Sequence, residues 1–211
     1  MKALFRKDLY SWWQTCYFML LLPAMNVVFC IEYAIQGKPL PLPMFIYSAC
    51  FMCVTPGTLH VQDVTSKWFI YSFTLPVKRS ETVAEKYLLA LILGAGVDLI
   101  MLLTVGLCAV LGGDLSGAGT MLLTVSAMGL LPATAFLPVS FAMSDKSQAA
   151  RSLVGALIGG FLGGGAVMMT QRAFDSEPSA ASQAVLLGVV MVLFGISWAV
   201  STAINNRKDM A

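Results

Sequence analysis

The sequence predicts an all-α membrane protein with six transmembrane helices and both termini in the cytoplasm. Hydrophobic residues make up 58% of the 211 residues and charged residues only 11%, whereas a soluble domain carries about a quarter charged residues. The apolar residues also form runs of about 20, the length that a helix needs to cross the hydrocarbon core of a bilayer. Residues 1–211 are therefore expected to form a single transmembrane domain.

Six apolar runs predict the six spans, each separated from the next by a more polar connection. These runs lie at residues 17–36, 42–61, 88–111, 118–143, 150–171 and 183–204. Cytoplasmic loops carry an excess of Lys and Arg. With both termini inside, only Lys38 and Arg172 of the 13 basic residues lie on the outer side, and an even number of spans allows this arrangement.

Residues 1–16, before the first span, predict an amphipathic helix. Its apolar side chains recur at helical spacing, with basic residues beside them; the apolar face comprises Phe5, Leu9, Trp12, Trp13 and Cys16. Such a helix is expected to lie along the inner membrane surface. The alternative is that these residues prolong the first span into the headgroup region.

The longest predicted connection, residues 62–87, is unusually apolar for a cytoplasmic segment. We expect two helices around a turn, with Asp63 capping the first and Pro76 ending it. Ser80 is expected to cap the second, which continues through Lys86 into the third span. An exposed apolar segment indicates docking to a protein, although an amphipathic segment resting on lipid headgroups would share the pattern.

Polar residues inside the predicted spans are candidates for a transport pathway. Asp98 falls near the middle of the third span, where a carboxylate is costly and by default marks a functional position. Asn26 and Glu32 of the first span are further candidates. The alternative for Asp98 is a structural role, in which it is protonated or hydrogen bonded to Ser, Thr or Asn of a neighbouring helix.

Small residues and prolines predict features of helix packing. Gly155, Gly159 and Gly163 recur every four residues, a spacing that lets helices approach closely, either within one chain or between two subunits. Bends are expected where prolines interrupt predicted spans; these are Pro23, Pro132 and Pro138.

Several functional classes are excluded by what the sequence lacks. His60 is the only histidine, so an H-E-x-x-H zinc site cannot form. Cys50 and Cys53 form a C-x-x-C inside a predicted span, where buried apolar thiols are the favoured interpretation. Nucleic-acid binding is not expected, because the net charge is only +2 and no basic tract is present.

Residues 63–88 carry the pattern D-x-x-S-K-W-x-x-Y-x-x-T-L-P-V-x-R…EKYL, formed here by Asp63, Ser66, Lys67, Trp68, Tyr71, Thr74, Leu75, Pro76, Val77, Arg79, Glu85, Lys86, Tyr87 and Leu88. This pattern resembles the signature of short ABC type-2 transporter permeases. The basic segment ending in Lys7 and Asp8 is similar to the start of that family. Phe141, Lys146 and Arg151 resemble its F-G-x-x-K-x-R loop, with Ala142 in place of glycine.

This resemblance implies a bacterial plasma- or inner-membrane exporter subunit. A second permease chain, identical or related, would complete the pathway, and the substrate would be a small amphiphile or peptide. The resemblance assigns coupling to a separate ATPase to Lys67, Trp68, Tyr71, Leu75, Pro76 and Arg79. The sequence has no G-x-x-x-x-G-K-[ST] phosphate loop, so no cofactor is expected on this chain, and ATP with Mg would be held by the ATPase.

Two other functions remain open from the sequence alone. One is a membrane-embedded substrate-binding subunit of an importer, which would bind its ligand tightly as an isolated monomer. The other is a secondary transporter coupled to protons through Asp98, which would work without ATP.

Overall fold

The computed structural model describes residues 2–66, 68, 79–113, 115, 117–142 and 180–207. This part of the chain is helical and contains no strand. Six α-helices and one short 3-10 helix follow one another: α1 (Lys2–Cys16), the 3-10 helix (Tyr17–Leu20), α2 (Leu21–Ile35), α3 (Met44–Thr65), α4 (Arg79–Val110), α5 (Ala118–Ala142) and α6 (Ala180–Arg207).

Five helical segments of the described part are long and apolar enough to cross a membrane. These are Leu4–Ile35, Met44–Thr65, Ser80–Val110, Ala118–Ala142 and Ala180–Asn206. They correspond to five of the six predicted spans. The remaining one, at 150–171, lies outside the described residues.

Pro23 explains the break between α1 and α2. A proline has no N–H to donate, and its ring clashes with the carbonyl group four residues earlier, which here belongs to Met19. The 3-10 helix Tyr17–Leu20 occupies this position, and Pro23 itself lies in the first turn of α2. In α5, Pro132 and Pro138 lie inside the helix.

Helices α1 and α2 both pack along α4. Lys86 of α4 donates to Asp8 of α1, and Cys108 of α4 donates to the carbonyl of Cys30 in α2; each pair is 78 residues apart. Helices α1 and α2 therefore run parallel to α4 in matching register from position 8 to position 30, a length of about 33 Å. This arrangement favours the alternative in which α1 prolongs the first span.

The buried face of α1 differs from the predicted apolar face. Of the residues on the predicted apolar face, Trp12 and Cys16 are buried, whereas Leu9 and Trp13 are exposed. The buried stripe contains Leu4, Asp8, Trp12 and Cys16, which recur every four residues. Asp8 belongs to this buried stripe because it pairs with Lys7 and Lys86 inside the bundle.

Side-chain contacts bring together one end each of α1, α3, α4, α5 and α6. At this end His60 near the end of α3 contacts Phe141 near the end of α5, with ring centroids 4.1 Å apart. The hydroxyl group of Tyr87, near the start of α4, hydrogen bonds to Ser197 (2.6 Å) and Ser201 (2.7 Å) of α6. We call this the basic end, the end where α1 and α4 begin and α3, α5 and α6 end.

Helices α5 and α6 run in the same direction. At the end opposite the basic end, the hydroxyl group of Thr124 donates to Gln183 over 3.0 Å. Both helices therefore begin at that opposite end and finish at the basic end. Earlier in the described part, α1 and α2 share one direction, and α3, α4 and α5 then alternate.

Helix α3 is the centre of the bundle and contacts α1, α2, α4 and α5. Its closest crossing is with α5, where a Cβ atom built on Gly57 would lie 2.4 Å from Cε1 of Phe136. Farther along the same crossing, a Cβ built on Gly129 would lie 2.5 Å from the Cβ of Ala49. Both distances are too short for a real side chain, so glycine sets how closely α3 and α5 approach.

The two ends of the predicted coupling segment are helical. Helix α4 begins at Arg79 with Glu81 in its first turn and continues without a break to Val110, which confirms that a helix from this segment runs into the third span. The prediction that Asp63 caps a separate helix was wrong, because α3 continues to Thr65. No Gly or Pro lies between Gly57 and Ser66, and the Asp63 carboxylate is engaged in ion pairs.

Candidate functional site

Four charged side chains from three helices meet at the basic end. Lys7 and Asp8 come from α1, Asp63 from α3 and Lys86 from α4. Lys7 Nζ lies 2.6 Å from Asp63 Oδ1 and 2.9 Å from Asp8 Oδ1. Lys86 Nζ lies 2.8 Å from Asp63 Oδ2 and also pairs with Asp8 Oδ2. We call these four residues the ion-pair cluster.

The ion-pair cluster is deeply buried at its core. The side chains of Lys86 and Asp8 are 6% and 2% exposed, and those of Lys7 and Asp63 are 26% and 17% exposed. Charges removed from water are tolerated only when they are paired and hydrogen bonded. Two ammonium groups here face two carboxylates, each in contact with both, so the charges balance and α1, α3 and α4 are held together.

The ion-pair cluster adjoins the predicted coupling segment. The ammonium group of Lys7 lies 5.1 Å from the centre of the Trp68 ring, within the range of a cation–π contact. The cluster lines a small cavity of about 30 Å³ together with His60, Glu85 and Phe141. Trp68 is thus in contact with the buried charges through Lys7.

Of the predicted coupling residues, the structure brings Trp68 to the ion-pair cluster and places Arg79 at the first position of α4. The other four lie outside the described residues: Lys67, Tyr71, Leu75 and Pro76. The predicted packing glycines Gly155, Gly159 and Gly163 also lie outside the described residues.

Asp98 lies midway along α4 and lines a second cavity. Its Oδ2 atom accepts a hydrogen bond from the hydroxyl group of Ser126 in α5, over 2.7 Å. The cavity measures about 190 Å³ and lies between α3, α4, α5 and α6. Asp98 therefore faces the bundle, and it also has the kind of hydroxyl partner that the structural interpretation expects.

The other two predicted pathway residues, Asn26 and Glu32, lie in different surroundings. Asn26 of α2 is buried, and its side-chain amide donates to the Met44 carbonyl (3.0 Å) and the Ser48 hydroxyl (2.9 Å) of α3. These bonds fasten α2 to α3. Glu32 is exposed and accepts a hydrogen bond from Gln36, one turn farther along.

The thiols of the C-x-x-C pair face different helices. Cys50 donates to the Met128 carbonyl of α5 and Cys53 to the Ala90 carbonyl of α4. Both cysteines are buried and free. Among the described residues, no group of three or more His, Cys, Asp and Glu side chains could hold a metal ion.

Sequence reasoning singled out Asp8, Asp63 and Lys86 as motif residues but did not predict that they meet. The signal available was that a few charged residues border long apolar runs, where an unpaired charge would be costly. That signal identifies residues in need of partners. It does not say which partner each one has across 78 residues of chain.

Comparison with known proteins identifies the family. Residues 3–206 match the family model described as "ABC-2 family transporter protein". Searches among curated proteins and among solved structures return no match. The match covers nearly the whole chain and agrees with the long apolar helices of a multi-pass membrane protein. The chain belongs to the ABC-2 family of transporter proteins.

Proposed function

We propose that this chain is the permease subunit of an ATP-binding-cassette exporter in a bacterial plasma or inner membrane. Two permease chains, identical or related, form the pathway, and a separate ATPase subunit docks at the basic end and supplies the energy. Family membership supports a membrane component of an ABC system. The absence of a phosphate-loop motif from the 211 residues supports an ATPase on another chain.

The ion-pair cluster is the observation that carries the coupling proposal. Helices α3 and α4 flank the predicted coupling segment, and Asp63 and Lys86 join them directly at its base. Asp8 and Lys7 extend the same ion pairs to α1. Because α-helices and buried ion pairs are stiff, a displacement of the segment by a docked ATPase moves three helices together.

The proposed orientation places the basic end in the cytoplasm. Helices α1 and α4 begin there and α3, α5 and α6 end there, so Arg6, Lys7 and Lys86 share that side. The parallel direction of α5 and α6 supports one further crossing of the membrane between them, giving six spans in all. A cytoplasmic basic end is also where an ATPase has access to ATP.

Trp68 is the proposed contact through which docking reaches the ion-pair cluster, because its ring lies over the Lys7 ammonium group. We propose the same interface for Lys67, Tyr71, Leu75, Pro76 and Arg79, as the family resemblance implies. The large apolar side chains exposed on α4 and α6, such as Leu103 and Val192, offer surface for lipid or for the second permease chain.

Site-specific photo-cross-linking tests this proposal. A photoreactive phenylalanine replaces Trp68 in the full chain, produced in its own host, and the cross-linked partner is identified by mass spectrometry. The matched control carries the same residue at Val110, which is 85% exposed at the opposite end of α4. We expect a cross-link from position 68 to a polypeptide with a phosphate-loop motif, and none from position 110.

Two results would contradict the proposal. One is a phosphate-loop polypeptide cross-linked from position 110 but not from position 68. The other is cross-linking of position 68 to lipid alone, which would place the segment on headgroups, as the amphipathic interpretation holds.

A further inference from the structure

The cavity beside Asp98 has the size of a small organic binding site. Its volume is about 190 Å³, somewhat larger than the roughly 150 Å³ of an engineered protein cavity that binds benzene. Four helices contribute to its lining, so a ligand there would contact most of the bundle. Four of its lining residues are glycine or alanine, namely Ala49, Gly94, Ala95 and Gly129.

The carboxyl group of Asp98 is only partly satisfied by the protein. Its Oδ1 atom has no hydrogen-bond partner among the described residues. Its Oδ2 atom faces Ser126, whose hydroxyl group has a single hydrogen but two acceptors in reach, Asp98 Oδ2 at 2.7 Å and the Leu122 carbonyl at 2.9 Å. A buried carboxylate in this position lacks about one strong donor.

No cation of the cavity lining compensates this carboxylate. None of its lining residues, all within the described part, is Lys, Arg or His; apart from Asp98 and Ser126 they are apolar, small or thiol side chains. The ammonium group of Lys86 lies 12 residues earlier on α4, about 18 Å away along the helix, and is already paired with two aspartates.

We propose that this cavity binds the cationic group of an amphiphilic substrate. An ammonium group donates to the free Oδ1 atom of Asp98, and the adjoining apolar part of the ligand, about the size of one ring, packs against Leu130, Leu187 and Met191. This inference rests on the proposed transport function and deepens it by naming the substrate class as organic cations with an apolar body.

Helix α4 connects this cavity to the ion-pair cluster. Asp98 and Lys86 lie on the same unbroken helix. Cys53, which also lines the cavity, lies 10 residues before Asp63 on α3. Movement of α3 relative to α4 at the basic end therefore changes the width of the cavity, so the coupling site and the binding site share two rigid elements.

Ligand binding by the purified full chain in lipid nanodiscs tests the proposal. Isothermal titration measures benzylammonium and its neutral counterpart benzyl alcohol, with empty nanodiscs subtracted. We expect benzylammonium to bind at least about tenfold more tightly, because a charge-assisted hydrogen bond separates the two probes. In Asp98→Asn the two affinities are expected to become about equal. Glu81→Gln removes a carboxylate from the first turn of the same helix and should keep the tenfold preference.

A second variant tests the cavity independently of charge. Ala95→Leu places a larger side chain at the cavity wall and should weaken the binding of both probes by a similar factor. Unchanged binding of both probes in Ala95→Leu, or a preference for benzylammonium that survives in Asp98→Asn, would overturn the proposal.

The binding assay uses neither ATP nor a partner subunit. Failure of the substrate proposal can therefore be distinguished from failure of the proposed function. If Asp98 does not select the cation while the Trp68 cross-link to an ATPase is found, the substrate class is wrong and the exporter proposal stands. If the cation binds but no ATPase cross-links to position 68, the cavity stands and the coupling proposal fails.

Discussion

The ion-pair cluster and the Asp98 cavity differ in how completely their carboxylates are paired. In the cluster, Asp8 and Asp63 each contact both lysines, and the charges of three helices balance. In the cavity, Asp98 has one serine hydroxyl and no neighbouring cation among the described residues. The four members of the cluster are thus paired with one another, whereas Asp98 still lacks a donor.

This difference separates a structural role from a binding role for residues of the same type. A fully paired group stabilises one arrangement of helices, and its loss leaves uncompensated charge. A partly paired group next to a cavity contributes little to packing, and a ligand can complete its hydrogen bonds. Breaking the cluster should therefore affect the stability of the protein, and changing Asp98 should affect the ligand.

The largest expected effect is that of Lys86→Met. Removal of this ammonium group leaves two buried aspartates with Lys7 alone, and loss of one partner of a buried ion pair costs about 3–5 kcal/mol. The free energy of unfolding, measured by denaturing detergent titration, should fall by that amount.

Arg6→Met is the control for Lys86→Met. Arg6 is exposed on α1 at the same end of the bundle, so its replacement should change the free energy of unfolding by less than about 0.5 kcal/mol. Equal effects of the two variants would mean that the cluster does not hold α1, α3 and α4 together.

A smaller loss of stability is expected at the crossing of α3 and α5, which lies between the two regions. In Gly57→Ala the new methyl group meets the ring of Phe136, and overpacking of this kind costs about 1–3 kcal/mol. Gly96→Ala in α4 has open space around the new methyl group and should be neutral, or stabilising by up to about 1 kcal/mol. Thermal denaturation of both variants checks the pair, and similar melting temperatures would contradict the close crossing.

Apart from the control variants, Asp98→Asn is expected to have the smallest effect on stability. The asparagine side chain can still accept the Ser126 hydrogen bond, and polar contacts between membrane helices average about 0.6 kcal/mol, so the free energy of unfolding should change by less than that. The same unfolding titration checks this value. A loss as large as that of Lys86→Met would assign Asp98 to the packing of the bundle.

Much of the fold could be predicted from the sequence, because long apolar runs have only one stable place in a membrane protein. The run at 118–143 corresponds to α5, Ala118–Ala142, and the run at 88–111 corresponds to the apolar part of α4. Local signals also predicted a helix that runs into the third span, but they placed its cap at Ser80, whereas α4 begins at Arg79 and includes Ser80. The buried face of α1 could not be predicted, since helical periodicity groups apolar residues and does not show that Asp8 has cationic partners inside the bundle.

The candidate site was predicted only in part, since its contacts join distant segments. The position of Asp98 in a span indicated a functional or hydrogen-bonded group, and the structure adds Ser126 and a cavity. The pairing of Asp8 with Lys86 depends on how α1 packs along α4, which no local pattern encodes. Asp63 illustrates the same limit, because its local context suggested a helix cap and its tertiary contacts make it an ion-pair partner.

Uptake by inside-out membrane vesicles tests the central claim most directly, namely that energy enters at the basic end and substrate binds beside Asp98. Vesicles from cells with the chain and its ATPase, and from cells lacking both, are given radiolabelled benzylammonium with or without ATP. The account predicts uptake that requires ATP, persists when a protonophore collapses the pH gradient, and is lost in Asp98→Asn. Uptake driven by a pH gradient without ATP would contradict it and identify a proton-coupled secondary transporter.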